Sequence, residues 1–315
     1  MTTVAGSPLA NVAAAARRAY DSDLFWNFRR SPSAIVAALA TIILILLAVL
    51  APWVAPQDPF DLPSLDLLNA ELPPAWLTGG DMHFILGTDV QGRDVYSTIL
   101  YGLRISLLVG FGSVLLSTIL GVALGLVAGY SGRWVDSLIM RIADVQLSFP
   151  AILVALLVNG VARTALPRDV FNQTAIPILI LSIGISNWVQ YARTIRSLVM
   201  VEKGKEYVQA AIILDRSPVF IATQHILPNT AGPVTVLATI NLALAILTEA
   251  TLSFLGVGMP PTTPSLGTLV RVGYEYMLSG EWWIVIFPSV ALVAIVLAVN
   301  LLGDWLRDAL NPKLR

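Results

Sequence analysis

Cysteine is absent from the 315 residues, and histidine occurs only at His83 and His225. The first absence excludes disulfides, thiolate nucleophiles and cysteine-based metal sites. With the two histidines far apart in the chain, a histidine zinc site is not expected either. Charge is scarce as well. Asp, Glu, Lys and Arg make up 12% of the residues, against about 25% in an ordinary soluble domain, too few to cover the surface of one or two globules. The balance of 19 basic and 20 acidic residues, net −1, leaves no basic field for nucleic acid. A phosphate-binding loop is missing: Gly204-Lys205 is followed by Glu206 and lacks the upstream glycine. No glycine fingerprint follows a strand, and no serine, histidine and acid stand in a supporting context. The chain reads as having no catalytic residues, no metal site and no bound cofactor.

Apolar residues, in contrast, are plentiful at 56%. The reading is an all-α polytopic membrane protein. A helix needs about 20 apolar residues to cross the hydrocarbon core, and six stretches with little or no charge approach that length: 34–51, 105–130, 145–162, 170–192, 226–248 and 282–303. The first is longer than the roughly 7–15-residue core of a signal peptide, so it reads as an uncleaved anchor. The organisation is then a tail over 1–33, a first span with an external loop over 34–102, and a five-span core over 103–315. Within that core lies a long cytoplasmic loop, 193–230.

Orientation follows from Lys and Arg. With the N-terminus inside, Arg17, Arg18, Arg29, Arg30, Arg133, Arg141, Arg193, Arg196, Lys203, Lys205, Arg216, Arg307, Lys313 and Arg315 are cytoplasmic, 14 in all. Arg93, Arg104, Arg163, Arg168 and Arg271 are external. Both termini are therefore expected in the cytoplasm.

Three loops are too long to be plain connectors. The external 52–102 loop carries many prolines and glycines, and Thr88-Asp89-Val90-Gln91 has capping-box spacing, which predicts a helix start there. In the cytoplasmic loop, 206–214 is a short helical segment with small Ala210 and Ala211. Ser217-Pro218 then starts a second short helix over 219–226, with Pro228 as its stop. Such a pair either rests on lipid or docks into a soluble partner, and the residues leave both open. The external 256–281 loop, with seven Gly and Pro residues up to Gly273, argues against a long regular helix.

Inside the spans, Gly121, Gly125 and Gly129 recur every four residues, a face that lets another helix come close. Glu249 stands at the outer edge of the fifth span, as a hydrogen-bonding group or a pathway residue. Ser182, Ser186 and Asn187 make the fourth span polar and are candidate pathway residues. Two function classes fit so far: a membrane subunit driven by a separate motor, or a self-contained channel or secondary carrier.

Several motifs then converge. Glu206-Tyr207-Val208-Gln209-Ala210-Ala211 followed by His225-Ile226-Leu227-Pro228-Asn229 resembles the EAA loop of binding-protein-dependent ABC importer permeases. His83 to Asp94 resembles the H-x-L-G-T-D-x-x-G-R-D stretch of the C-type permease subunit of the dipeptide/oligopeptide/nickel family, with one extra residue after the histidine. Ser253 to Gly258, Pro264 to Gly267, and Asn300 to Pro312 resemble the same family. Asp215 stands where that family usually has glycine.

The resemblance implies a type I ABC importer permease fold with six transmembrane helices in a bacterial cytoplasmic (inner) membrane. It implies a heterodimer with a homologous permease, two cytoplasmic ATPases that use ATP and Mg, and an external solute-binding protein. Glu206, Tyr207, Gln209, Ala210, Ala211, Leu214 and Asp215 would couple the chain to an ATPase. Peptide is the commonest substrate class; nickel chelates, glutathione-like molecules and sugars remain open.

Overall fold

A computed structural model describes residues 23–61 and 65–310. The expectations for Arg17, Arg18, Lys313 and Arg315, and the last two residues of the Asn300 to Pro312 motif, fall outside these residues. Among the described residues the regular elements are helices, and Thr88 and Asp94 form an isolated antiparallel bridge. After a short helix, Asp23–Arg30, come α1 (Pro32–Val49), α2 (Val95–Ser131), α3 (Arg133–Leu147), α4 (Ala151–Ala165) and α5 (Ala175–Lys203). Then follow α6 (Glu206–Ile213), α7 (Leu227–Phe254), α8 (Leu266–Tyr276) and α9 (Trp283–Ala309).

Among the described residues, five helices are long and apolar enough to cross a membrane: α1, α2, α5, the continuous Pro218–Phe254 stretch and α9. The sixth crossing exists only if α3 and α4 count as one broken span, since they meet at 91°. The continuous third span expected over 145–162 is thus corrected. Pro150 offers no N–H to a helix and disfavours helical backbone in the residue before it. α4 restarts at Ala151, and its 15 residues reach about 22 Å. The fourth span begins five residues later than expected, because 168–173 forms its own short helix, and it runs on to Lys203.

α2 and α5 form the centre of the bundle, with α7 and α9 packed against α2 and α1 against α9. Ser117 Oγ donates to Gly184 O at 3.0 Å across the central pair. α3 is held to α5 laterally: Gln146 Nε2 donates to Ile185 O at 2.7 Å, and Trp188 Nε1 donates to Gln146 Oε1 at 2.8 Å.

The helix start expected at Thr88 lies instead at Val95, with Asp94 as its cap accepting from Ser97 N at 2.9 Å. Thr88 to Gln91 belongs to a turn. Asp89 Oδ1 accepts from Gln91 N at 2.8 Å and Arg93 N at 3.0 Å, and Gly92 takes φ +74°. Positive φ cannot continue a right-handed helix, so the capping-box spacing is met without its helix. The Asp89–Arg93 ion pair, 2.7 Å and buried, closes this turn, and Trp283 Nε1 donates to Thr88 O at 3.0 Å to pin it on α9.

Pro228 does not stop the helix that starts at Pro218. A π-helical turn over Ala222–Ile226 carries the backbone into α7. The wider turn accommodates the missing proline N–H, and Asn229 Nδ2 donates to the His225 carbonyl at 2.7 Å. The 256–281 loop likewise holds three turns of regular helix, α8, capped by Ser265. Gly267 and Gly273 serve close packing there: a Cβ at either would come within 2.5 Å of the backbone of Ala250 or Ile284.

Candidate functional site

α6 lies at one end of the bundle, between the C-terminus of α5 and the start of the Pro218–Phe254 helix. Its inner face is apolar. Val208 and Ala211 pack with Ile195 and Val199 of α5 and with Ile221 and Ile226. Apolar side chains are uncovered at its C-terminal end and on the next helix: Ile213 is 83% exposed, Leu214 at the cap 71%, and Val219, in the helix that starts at Pro218, 72%. Ala210 and Gln209 are exposed beside them. Glu206 sits in the first turn, where the helix dipole favours a carboxylate.

Ala211 departs from the expectation that it contacts a partner. It is 6% exposed and belongs to the chain's own core. One residue's step along a helix turns a side chain by about 100°. Ala210 therefore points outward where Ala211 points inward, which sequence spacing alone cannot assign.

The helix ends in a Schellman arrangement. Arg216 N donates to Ala211 O at 3.1 Å and Asp215 N to Ile212 O at 3.0 Å. Asp215 takes φ +54°, the left-handed conformation that suits glycine. Ser217 caps the next helix, accepting from Phe220 N at 3.3 Å.

A polar cluster beside α6 was not picked out from the sequence. Buried Glu202, at the end of α5, accepts from Lys205 Nζ at 2.6 Å and from the Tyr207 hydroxyl. Asn229 Nδ2 donates to the Tyr207 hydroxyl at 2.9 Å, and His225 packs against its ring. The bond to Glu202 holds the Lys205 ammonium above its usual range, while burial and then the neighbouring carboxylate push the Tyr207 phenol up. α5, α6 and the start of α7 are thereby tied by side chains of both signs. The sequence signal was Glu202 three residues before Lys205, a pairing spacing on a helix.

Glu249 is fully buried. Its carboxylate accepts from Ser106 Oγ at 2.8 Å and Ser253 Oγ at 2.7 Å. Its carboxylate thus has two hydroxyl partners and no exposed surface in this chain. Ser182 and Ser186 are buried and donate to Ile178 O and Ser182 O of their own helix, at 2.7 and 2.6 Å; Asn187 donates to Ile183 O at 3.0 Å. These bonds satisfy the polar hydrogens within α5 itself. Gly121, Gly125 and Gly129 face α5. An added Cβ would stand 2.3 Å from Tyr191 Cβ, 2.5 Å from Ala192 O and 2.7 Å from Val199 Cβ, respectively. Among the described residues, no three His, Asp or Glu side chains gather as a metal site would require.

Comparison with known proteins bears on the whole chain. Residues 121–315 match the family described as binding-protein-dependent transport system inner membrane component. Residues 22–74 match the N-terminal transmembrane domain of oligopeptide transport permease C. The chain is 39% identical to a di/tripeptide transport system permease protein of Pseudomonas aeruginosa (strain UCBPP-PA14), over 92% of each chain. It is 38% identical to a dipeptide transport system permease protein of Haemophilus influenzae, over 92% of this chain and 94% of that one. It is 40% identical to the corresponding Escherichia coli K12 protein, over 92% and 93%.

Proposed function

Because the chain belongs to the binding-protein-dependent transport system inner membrane component family, we propose that it forms half of the membrane pathway of a dipeptide importer and meets a cytoplasmic ATPase through α6. As a permease subunit it is not an enzyme; ATP hydrolysis lies with separate subunits. The self-contained channel or carrier gains no support. In this reading a homologous permease completes the pathway, two ATPases bind ATP and Mg, and an external binding protein delivers the peptide. Both termini and α6 face the cytoplasm, in keeping with the distribution of Lys and Arg.

The observation that carries the docking reading is the uncovered apolar group of Ile213 and Leu214 at the end of α6 and Val219 at the start of the next helix, two elements whose inner faces are anchored in the bundle. Exposed apolar side chains on a rigid support make an interface core. The support matters mechanically. Movement of an ATPase cleft displaces α6 together with α5 and α7, because core packing and the Glu202 cluster join them. The result is a rigid-body switch between inward- and outward-facing arrangements.

The test is Ile213→Asp. The side chain faces solvent, so insertion and pairing with the second permease are expected to be normal. An unpaired charge in a desolvated contact costs several kcal/mol, and each 1.4 kcal/mol or so is tenfold in affinity. Co-purification of the ATPases and peptide uptake are therefore expected to fall by orders of magnitude. A variant that keeps both shows that this apolar group is not the docking element and returns it to the lipid surface.

A further inference from the structure

Five basic residues are assigned to the outer side by charge distribution, and three of them meet. Arg163 in the last turn of α4, Arg168 in the helix that follows and Arg271 in α8 line one cavity of about 650 Å³, at the end of the bundle remote from α6. Its floor is the turn after α7. Gly256 there takes φ +79° and lies between two of the guanidiniums. Arg163 Nη1 donates to Gly256 O at 2.8 Å, and a Cβ on Gly256 would stand 2.6 Å from Arg271 Nη1. The floor is itself anchored on buried Glu249: Ser253 Oγ donates to that carboxylate and accepts from Met259 N at 3.0 Å.

No acidic side chain lines the cavity. Arg271 Nε forms a long ion pair of 3.7 Å with Glu275, exposed on the same helix, and among the described residues no carboxylate pairs with Arg163 or Arg168. Arg168 is exposed, and no bond or ion pair engages it among the described residues. Three like charges brought together repel unless an anion joins them. Guanidinium forks match a carboxylate in two-pronged geometry, and Thr164 and Asn172 add uncharged polar groups. The volume lies within the roughly 300–1,000 Å³ of small-molecule sites, far more than one acidic side chain of a docked protein fills.

We propose that this cavity receives the terminal carboxylate of the incoming peptide at the outer mouth of the pathway. This assignment rests on the peptide-import reading above and adds the group by which the peptide is held. The cavity orients the peptide by its C-terminus on release from the binding protein, and the contact with the arginines is given up when the peptide moves inward.

The test uses the complete importer in proteoliposomes, with the binding protein saturated by either dialanine or dialaninamide. Two variants are compared with the unmodified importer: Arg168→Gln, whose side chain holds nothing in place, and Arg168→Gln/Arg271→Gln. Dialanine uptake is expected to fall on the order of tenfold in the first, the size of one lost charge-assisted bond, and on the order of a hundredfold in the second, which loses two. The loss is expected to be confined to the free acid, with sedimentation of the binding protein on the liposomes unchanged. Equal losses for acid and amide overturn the proposal. So does weakened sedimentation, which would place the arginines against an acidic surface of the binding protein. Unchanged dialanine uptake in both variants overturns the cavity assignment alone. An unmodified importer that carries neither peptide overturns the import reading beneath it.

Discussion

Asp215 holds a left-handed backbone at the end of α6 without the glycine that the arrangement favours. At the end of α7 the same geometry recurs with glycine in place: Gly256 N donates to Ser253 O at 3.0 Å and Val257 N to Leu252 O at 3.1 Å. The two caps differ in the side chain at the left-handed position, aspartate in one and none in the other. Asp215→Gly is therefore expected to stabilise the purified permease, by up to about 1 kcal/mol from the relieved left-handed strain, read as a small upward shift in thermal unfolding, with uptake retained. Loss of uptake would show a task for the carboxylate itself. The departure at 215 was visible in the residues, but its sign was not: in ordinary helical backbone the same change costs about 0.5–1 kcal/mol, and only the observed φ selects between them. Ala211 teaches the same lesson about direction. Its small size was plain, yet whether it met a partner or the chain's own core depended on how α6 sits on α5.

Between elements, close approach is the controlling quantity. α2 and α5 come together because Gly121, Gly125 and Gly129 remove the side chains that would hold them apart. Gly121→Ala puts a Cβ 2.3 Å from Tyr191 Cβ and 2.6 Å from Trp188 O. Backbone cannot yield as a flexible side-chain tip does, so a destabilisation of about 1–3 kcal/mol is expected. Gly160→Ala in α4 is the matched control, since nothing lies within 4 Å of its added Cβ. Removing a helix glycine there is expected to be neutral or to stabilise by about 0.5–1 kcal/mol. Thermal unfolding of the two variants checks the pair; equal effects would mean that the α2–α5 contact is looser than described. The glycine spacing was readable in the sequence because it is a local repeat, whereas the face it meets was not. Element boundaries were read less well where special backbone intervenes. The turn at Gly92, the break at Pro150 and the π turn before Pro228 each displaced a boundary, as each alters the hydrogen-bond pattern that a hydropathy window assumes to be regular.

At the scale of the molecule, the two ends carry different chemistry: exposed apolar residues of α6 and the helix after it at one, and a three-arginine cavity at the other. Their sidedness is open to direct measurement. A topology reporter fused after Asp66 or Arg271 is expected on the outer face, and one after Lys203 or Arg315 in the cytoplasm, from the 14-to-5 division of Lys and Arg. A cytoplasmic signal from the Asp66 fusion would invert the orientation and with it the assignment of α6 to the ATPase side. What the sequence by itself determined are the properties that depend on stretches of neighbouring residues: the membrane setting, the approximate spans and the presence of a long loop that resembles the EAA loop. Hydrocarbon thickness sets how long an apolar run must be, and the motifs are contiguous in the chain. The tertiary structure alone decided the properties that depend on direction and on distant partners. It turned Ala211 inward and Ile213 outward, enclosed Glu249 between Ser106 and Ser253, and gathered Arg163, Arg168 and Arg271 from separate elements. Side-chain direction and long-range proximity arise from how helices pack, and in one unaligned chain no local pattern encodes them.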